Sequence, residues 1–309
     1  MGKKITQLSA ISIILLIVNG WLFFSQPTNQ SLSYDPKLFT ILDTSAIATV
    51  KLSSTEFTNK FEKSSGWKLN NRYEVDPMFM SILMNVVSQV SISRSLSETE
   101  LQEIKSDMSQ AILVDIGGGE AKSFWVIGNV NRTQTYFLSQ DQSKGYIAEI
   151  AGYSDYLGSI FELSTLQWRD RVILNGNWRS IQHLQVDYMN SEEDLDIRFN
   201  QDFFKVGGVA QLDSNTVVNY LGLFEKLQAN ERIDSKRFPR LVSLLQTEPA
   251  AIITMEDIYF KEPQVVSIYP PISDSNIQLV LDTQQEPVIF NRRRLEEILL
   301  APNDFRYEK

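Results

Sequence analysis

The chain has 309 residues, 43% of them hydrophobic and 22% charged, which is the composition of a globular protein and not of a disordered one. Its formal net charge of -9 argues against a nucleic-acid partner, because phosphate backbones need cationic side chains. It contains no cysteine, which removes disulfides, thiolate metal sites, a cysteine nucleophile and a lipidated N-terminal cysteine.

Lys3 and Lys4 precede an uncharged run from Ile5 to Ser25. At about 1.5 Å of helical rise per residue the run spans roughly 31 Å, the thickness of a bilayer core. Trp21 stands near its outer end, where an indole prefers the interface. A cleaved signal peptide would need a small-x-small site, but Phe23, Phe24 and Ser25 close the run. The sequence therefore predicts a single-pass anchor over 1–25, with residues 5–25 as the membrane partner segment. The lysines place its N-terminus in the cytoplasm and the bulk of the chain in the periplasm. Residues 26–37, rich in Gln, Ser, Thr, Asn and Pro, read as a polar tether.

From residue 38 the pattern is strand, hairpin and helix. Ala46 to Leu52 and Phe57 to Lys63 read as strands, with Gly66 turning the chain into Trp67. Asp76 supplies an N-cap and Pro77 the first helical residue of a helix reaching about Ser91. Ser97 and Glu100 form a capping-box pattern for a second helix. A meander follows at Ala111–Ile116, Ser123–Ile127, Thr133–Leu138 and Gly145–Ile150, then a short helix over Asp155–Phe161.

The same order then recurs. Shifting Trp67–Val90 by 137 positions lands on Phe204–Leu227 without a gap, so Asp76 meets Asp213, and Met80, Leu83, Met84, Val87 and Val90 meet Val217, Tyr220, Leu221, Phe224 and Leu227. Those spacings mark one helix face. Ile47 and Val50 correspond to Ile181 and Leu184, Leu157 and Ile160 to Leu295 and Ile298, and Trp168 to Phe305. Helices are expected over Ser214–Gln228, Phe238–Thr247 and Leu295–Leu300. Strands are expected at Ala250–Thr254, Val265–Tyr269, Ile277–Leu281 and Pro287–Asn291. The predicted fold class is α+β: an N-terminal transmembrane helix, then repeats over 38–175 and 176–309, each an antiparallel sheet with packed amphipathic helices. Trp67 and Phe204 are expected to be equivalent core plugs, with Trp67→Ala costing about 3–5 kcal/mol.

No catalytic, cofactor-binding or metal-ligating set emerges, and the chain does not read as an enzyme. His183 is the only histidine and sits in a strand pattern. Gly117, Gly118 and Gly119 lack phosphate-loop spacing and read as a hairpin turn. Glu192, Glu193 and Asp194 read as a solvated loop, and nothing in the spacing of Asp155, Glu162 and Asp170 selects acid–base work. Arg292, Arg293 and Arg294 form a basic run, with Arg292/Glu296 and Arg293/Glu297 spaced for helical ion pairs.

Gly66-Trp67, the Asp76-started helix and Trp168-Arg169-Asp170-Arg171 together resemble the DUF4340 family, bacterial envelope proteins of unknown function, over most of residues 38–235. Some of its members are linked to gliding-motility ABC transport systems, so the resemblance implies an accessory or scaffold protein that contacts a membrane-protein complex. The other reading is a module binding a small molecule or glycan in the groove between repeats.

Overall fold

Alternation of apolar and polar residues makes strands the main regular elements among the described residues. The computed structural model describes residues 34–189, 194–234, 238–273 and 275–307. In the first unit, strands β1 (Thr49–Ser53), β2 (Thr58–Lys63), β3 (Trp67–Leu69) and β4 (Tyr73–Glu74) lead into helix α1 (Pro77–Gln89). Next come β5 (Ser91–Ser95), helix α2 (Glu98–Ser106), β6 (Ile112–Gly117), β7 (Lys122–Gly128), β8 (Thr135–Ser139) and β9 (Gly145–Glu149). They form one nine-stranded antiparallel sheet, ordered β4-β3-β2-β1-β6-β7-β8-β9-β5. β1 shows why: its burial alternates, with Val50 and Leu52 inside and Lys51 outside.

The second unit opens with β10 (Val172–Leu174), β11 (Ile181–Tyr188), β12 (Leu195–Asn200) and β13 (Phe203–Val206). Helix α3 (Ser214–Gly222), β14 (Leu227–Gln228), β15 (Glu231–Arg232) and helix α4 (Pro239–Val242) follow. The unit closes with β16 (Ala251–Asp257), β17 (Gln264–Ile268), β18 (Ile277–Leu281), β19 (Pro287–Asn291) and helix α5 (Arg292–Glu296). Its eight-stranded sheet runs β13-β12-β11-β16-β17-β18-β19-β15, the order of the first sheet without a counterpart of β4. β10 and β14 pair separately.

The two units share individual bonds as well as strand order. Asp76 N–H donates to Trp168 O at 2.9 Å, and Asp213 N–H donates to Phe305 O at 2.9 Å. Ile41 N–H meets Val87 O as Gly176 N–H meets Phe224 O, and Ile92 N–H meets Pro36 O as Ala229 N–H meets Arg171 O. Asp76 caps α1 through Met78 N–H, and Asp213 caps α3 through Asn215 and Thr216 N–H. The buried face of α1 carries Met80, Leu83, Val86 and Val87, and that of α3 carries Val217, Tyr220 and Leu221. Trp168 and Phe305 are wholly buried in their respective cores.

Several expectations need correction. The α+β class gives way to a mostly β fold, in which two large antiparallel sheets dominate and the longest helix among the described residues has 13 residues. Helical patterning overstated the second unit. α3 stops at Gly222, and Leu227 and Gln228, expected as its last turn, pair with β10. Phe238–Thr247 is one short α turn followed by a 3-10 turn over Ser243–Gln246. The last helix starts at Arg292, capped by the Asn291 side chain, and ends at Glu296, so it does not cover Leu295–Leu300. At Leu227 and Gln228 a short apolar run fitted both periods and sheet pairing decided, and at Asn291 the cap fixed the start. The single-pass anchor is not supported: among the described residues no helix is long and apolar enough to cross a membrane, and the run Ile5–Ser25 lies outside them. Trp67 is half-buried beside the first core and holds Lys63 Nζ 6.0 Å from its ring centre, whereas Phe204 is buried.

Candidate functional site

The two units meet at a seam built from the Trp168–Arg171 stretch. Trp168 plugs the first core, its ring edge-on to Phe61 at 4.7 Å and to Phe79 at 6.2 Å. The chain direction then carries Arg169 and Arg171 towards the second unit. Arg169 stacks over Tyr73 at 3.8 Å and pairs with Glu286. Arg171 Nε donates to Asp76 Oδ2 at 2.8 Å, and its Nη1 donates to Asn230 O at 3.1 Å. Asp76 thus caps α1 with one oxygen and holds the seam with the other.

Arg232, on β15, completes the network. Its Nε donates to Asp170 O at 2.7 Å, and its Nη1 lies 2.6 Å from Asp282 Oδ2 and 3.5 Å from Glu286 Oε2. Both Arg232 and Asp282 are buried. Asp282 Oδ1 also accepts from Gln284 and Glu286 N–H, which shapes the β18–β19 turn. Beside this network a groove of about 280 Å³ opens between the units, lined by Phe79, Leu166, Gln167, Arg171, Asn230 and Arg232, with Glu231. The guanidinium groups facing it are already bonded to Asp76, Asp282 and Glu286, and the bonds that cross from one unit to the other are Arg169 to Glu286, Arg171 to Asn230 O and Arg232 to Asp170 O.

Elsewhere the singled-out residues take separate partners. His183 lies on the outer face of the second sheet, with Nε2 3.0 Å from Asp196 Oδ1 and Nδ1 3.6 Å from Glu256 Oε1. Glu162 accepts from the Tyr156 hydroxyl and pairs with Arg132, whereas Asp170 accepts from Val172 N–H. Asp155 lines a surface pocket with Thr133 and Tyr153. Asp194 accepts from Tyr188 N–H at 2.9 Å, and Glu192 and Glu193 lie outside the described residues. Arg292 pairs with Glu296 at 3.3 Å, and Arg294 donates to Gln228 O. Among the described residues no three His, Asp or Glu side chains converge as metal ligands.

The units diverge most clearly at one end of their sheets. In the first, the β6–β7 hairpin turns through Gly118 and Gly119, both at positive φ. A Cβ on Gly118 would lie 2.5 Å from Ala46 O, so the turn is pressed flat against the start of β1. In the second, the β16–β17 hairpin turns through Ile258, Tyr259 and Phe260, which are 59%, 78% and 43% exposed. Ile258 N–H donates to Ser180 O, which places Trp178, also exposed, at the same end of the sheet. Thr44 occupies the position corresponding to Trp178 in the first unit. Sequence reading missed this surface because it aligned the shared core positions and not the turns.

Compared with known protein families, with curated proteins and with solved structures, the chain matches none.

Proposed function

We propose that this protein is a docking scaffold: two fused sheet units that present the Trp178 and Ile258–Phe260 end of the second unit to a protein partner. The observation that carries the reading is the contrast between the units. The same hairpin is closed by glycines in one unit and by exposed large apolar side chains in the other, so the fold does not require the aromatics. Exposed clusters of this kind mark interaction surfaces, and aromatic side chains dominate the energetics of protein interfaces. The seam network supports the same role by fixing the two units to each other. The resemblance to DUF4340 proteins makes a transporter or motility assembly the first partner to look for.

The test is chemical cross-linking in cells of the chain and of an I258S/Y259S/F260S variant. All three positions are exposed, so the variant should keep its melting temperature and lose the cross-linked partner. An unchanged set of cross-linked partners would refute the proposal.

A further inference from the structure

The two units also differ in what lies between their second helix and the outer face of the sheet. In the second unit, α4 and the 3-10 turn after it close over a satellite core. Leu241 packs with Tyr269, Leu279 and Ile289, and Phe238, Leu244 and Leu245 gather around it. In the first unit, α2 covers a smaller cluster, Leu101 with Ala111, Ile127 and Leu138. A groove of about 470 Å³ stays open beside it.

The groove is lined by the apolar side chains of Leu96, Ile104, Ile127 and Tyr136, by Val130, which is fully exposed in the β7–β8 turn, and by the polar Gln110 and Asn129. Its rim is acidic, carrying Glu100, Glu103 and Asp107 from α2 and the residue that ends it. Glu100 is neutralised locally, since Arg94 donates to both of its oxygens at 2.7 and 3.0 Å. Lys105, the one cation of α2, donates to Gln142 O. Asp107 accepts from the N–H and hydroxyl of Ser109, bonds that favour its ionised form. Among the described residues the groove therefore carries two carboxylates without an ion-pair partner, Glu103 and Asp107, beside its apolar side chains.

We propose that this groove binds a small amphiphilic cation, an ammonium group carried on an aromatic or branched aliphatic body. The volume is that of a small-molecule site. Burying the apolar body against Ile104, Ile127 and Val130 supplies the attraction, and the two carboxylates select the charge. The second unit shows that apolar side chains suffice to fill this space, so the acidic rim of the first unit is not a requirement of the fold. The site is distant in the fold from the docking end of the second sheet and does not depend on it.

The experiment uses the full chain with methyl-labelled isoleucine and valine, titrated with 4-phenylbutylammonium and, separately, with 4-phenylbutyrate. The ammonium should shift the Ile104, Ile127 and Val130 methyl signals. The carboxylate, with the same apolar body, should bind at least about tenfold more weakly. An E103Q/D107N variant should lose about tenfold in ammonium affinity while keeping its melting temperature. An E103F variant, which sets an aromatic ring at the rim of the groove in place of a carboxylate, should abolish binding. Equal binding of both probes, an unchanged affinity in E103Q/D107N, or methyl signals that move only with a Lys-Phe-Lys peptide and not with the free ammonium would each overturn the proposal.

Discussion

Removing Asp282 tests the buried ion pair that holds Arg232 at the seam. Asp282 is 1% exposed, and its Oδ2 lies 2.6 Å from the Nη1 of a buried Arg232. Two unit charges about 4 Å apart interact by roughly 4 kcal/mol at an effective dielectric constant near 20. Deleting one partner of a buried pair typically costs about 3–5 kcal/mol, chiefly because the other charge stays buried and unpaired. Glu286 Oε2 stands 3.5 Å from the same nitrogen and takes up part of the lost interaction. Asp282→Ala should therefore fall near the lower end, about 3 kcal/mol. Loss of the acceptor for the Gln284 and Glu286 N–H groups adds to it only where the turn stays dry. The double replacement R232M/D282L should cost less than Asp282→Ala, since it removes both charges; it leaves the Asp170 carbonyl without Arg232 and, as in Asp282→Ala, the Gln284 and Glu286 N–H groups without their acceptor. Urea unfolding followed by tryptophan fluorescence and circular dichroism measures both. A loss below about 1 kcal/mol, or a double variant less stable than the single one, would refute the reasoning.

Two further outcomes follow from the cores and the caps. Trp168→Ala should cost about 3–5 kcal/mol and Trp67→Ala distinctly less, because Trp168 is wholly buried and Trp67 only half so. Trp168→Phe should be milder than either truncation to alanine would suggest for a buried indole, since Trp168 Nε1 has no hydrogen-bond partner to lose. Thermal melts of the three variants rank them. Glu100 closes the capping box of α2, and Arg94, then the N–H and hydroxyl of Ser97, hold its carboxyl down to about 2 from an ordinary 4.5. A carboxyl lowered by folding contributes stability that is complete above its unfolded value and lost as pH falls from there towards 2. Carboxyl-detected NMR titration should show Glu100 titrating near 2, and Arg94→Ala should move that midpoint upward.

The seam also explains a motif that sequence reading could locate but not interpret. Trp168-Arg169-Asp170-Arg171 stands out by composition, and its aromatic member pairs with Phe305 across the repeat. The partners of its arginines, Asp76, Asn230 and Glu286, lie far away in the chain. No local spacing announces such pairs, because they form only when two sheets are brought edge to edge. The satellite groove beside α2 is hidden for the same reason. Glu100, Glu103 and Asp107 read as an ordinary solvated helix face until Ile127 and Val130 are placed beneath them.

What the sequence determines by itself is whatever depends on neighbours along the chain. The capping box at Ser97, the caps at Asp76 and Asp213, the glycine turn after β6 and the alternating strands are local, and they form where they were expected. The recurrence of core positions is also legible, because two copies under the same packing demand keep the same apolar face. Tertiary structure decides the rest. Leu227 and Gln228 could close a helix or pair as a strand, and the presence of β10 settles it. Trp67 carries the pattern of a plug, but the first sheet leaves it half-exposed near its edge, and Trp168 fills the core. Burial is a property of what packs on top, and the chain alone does not carry that information.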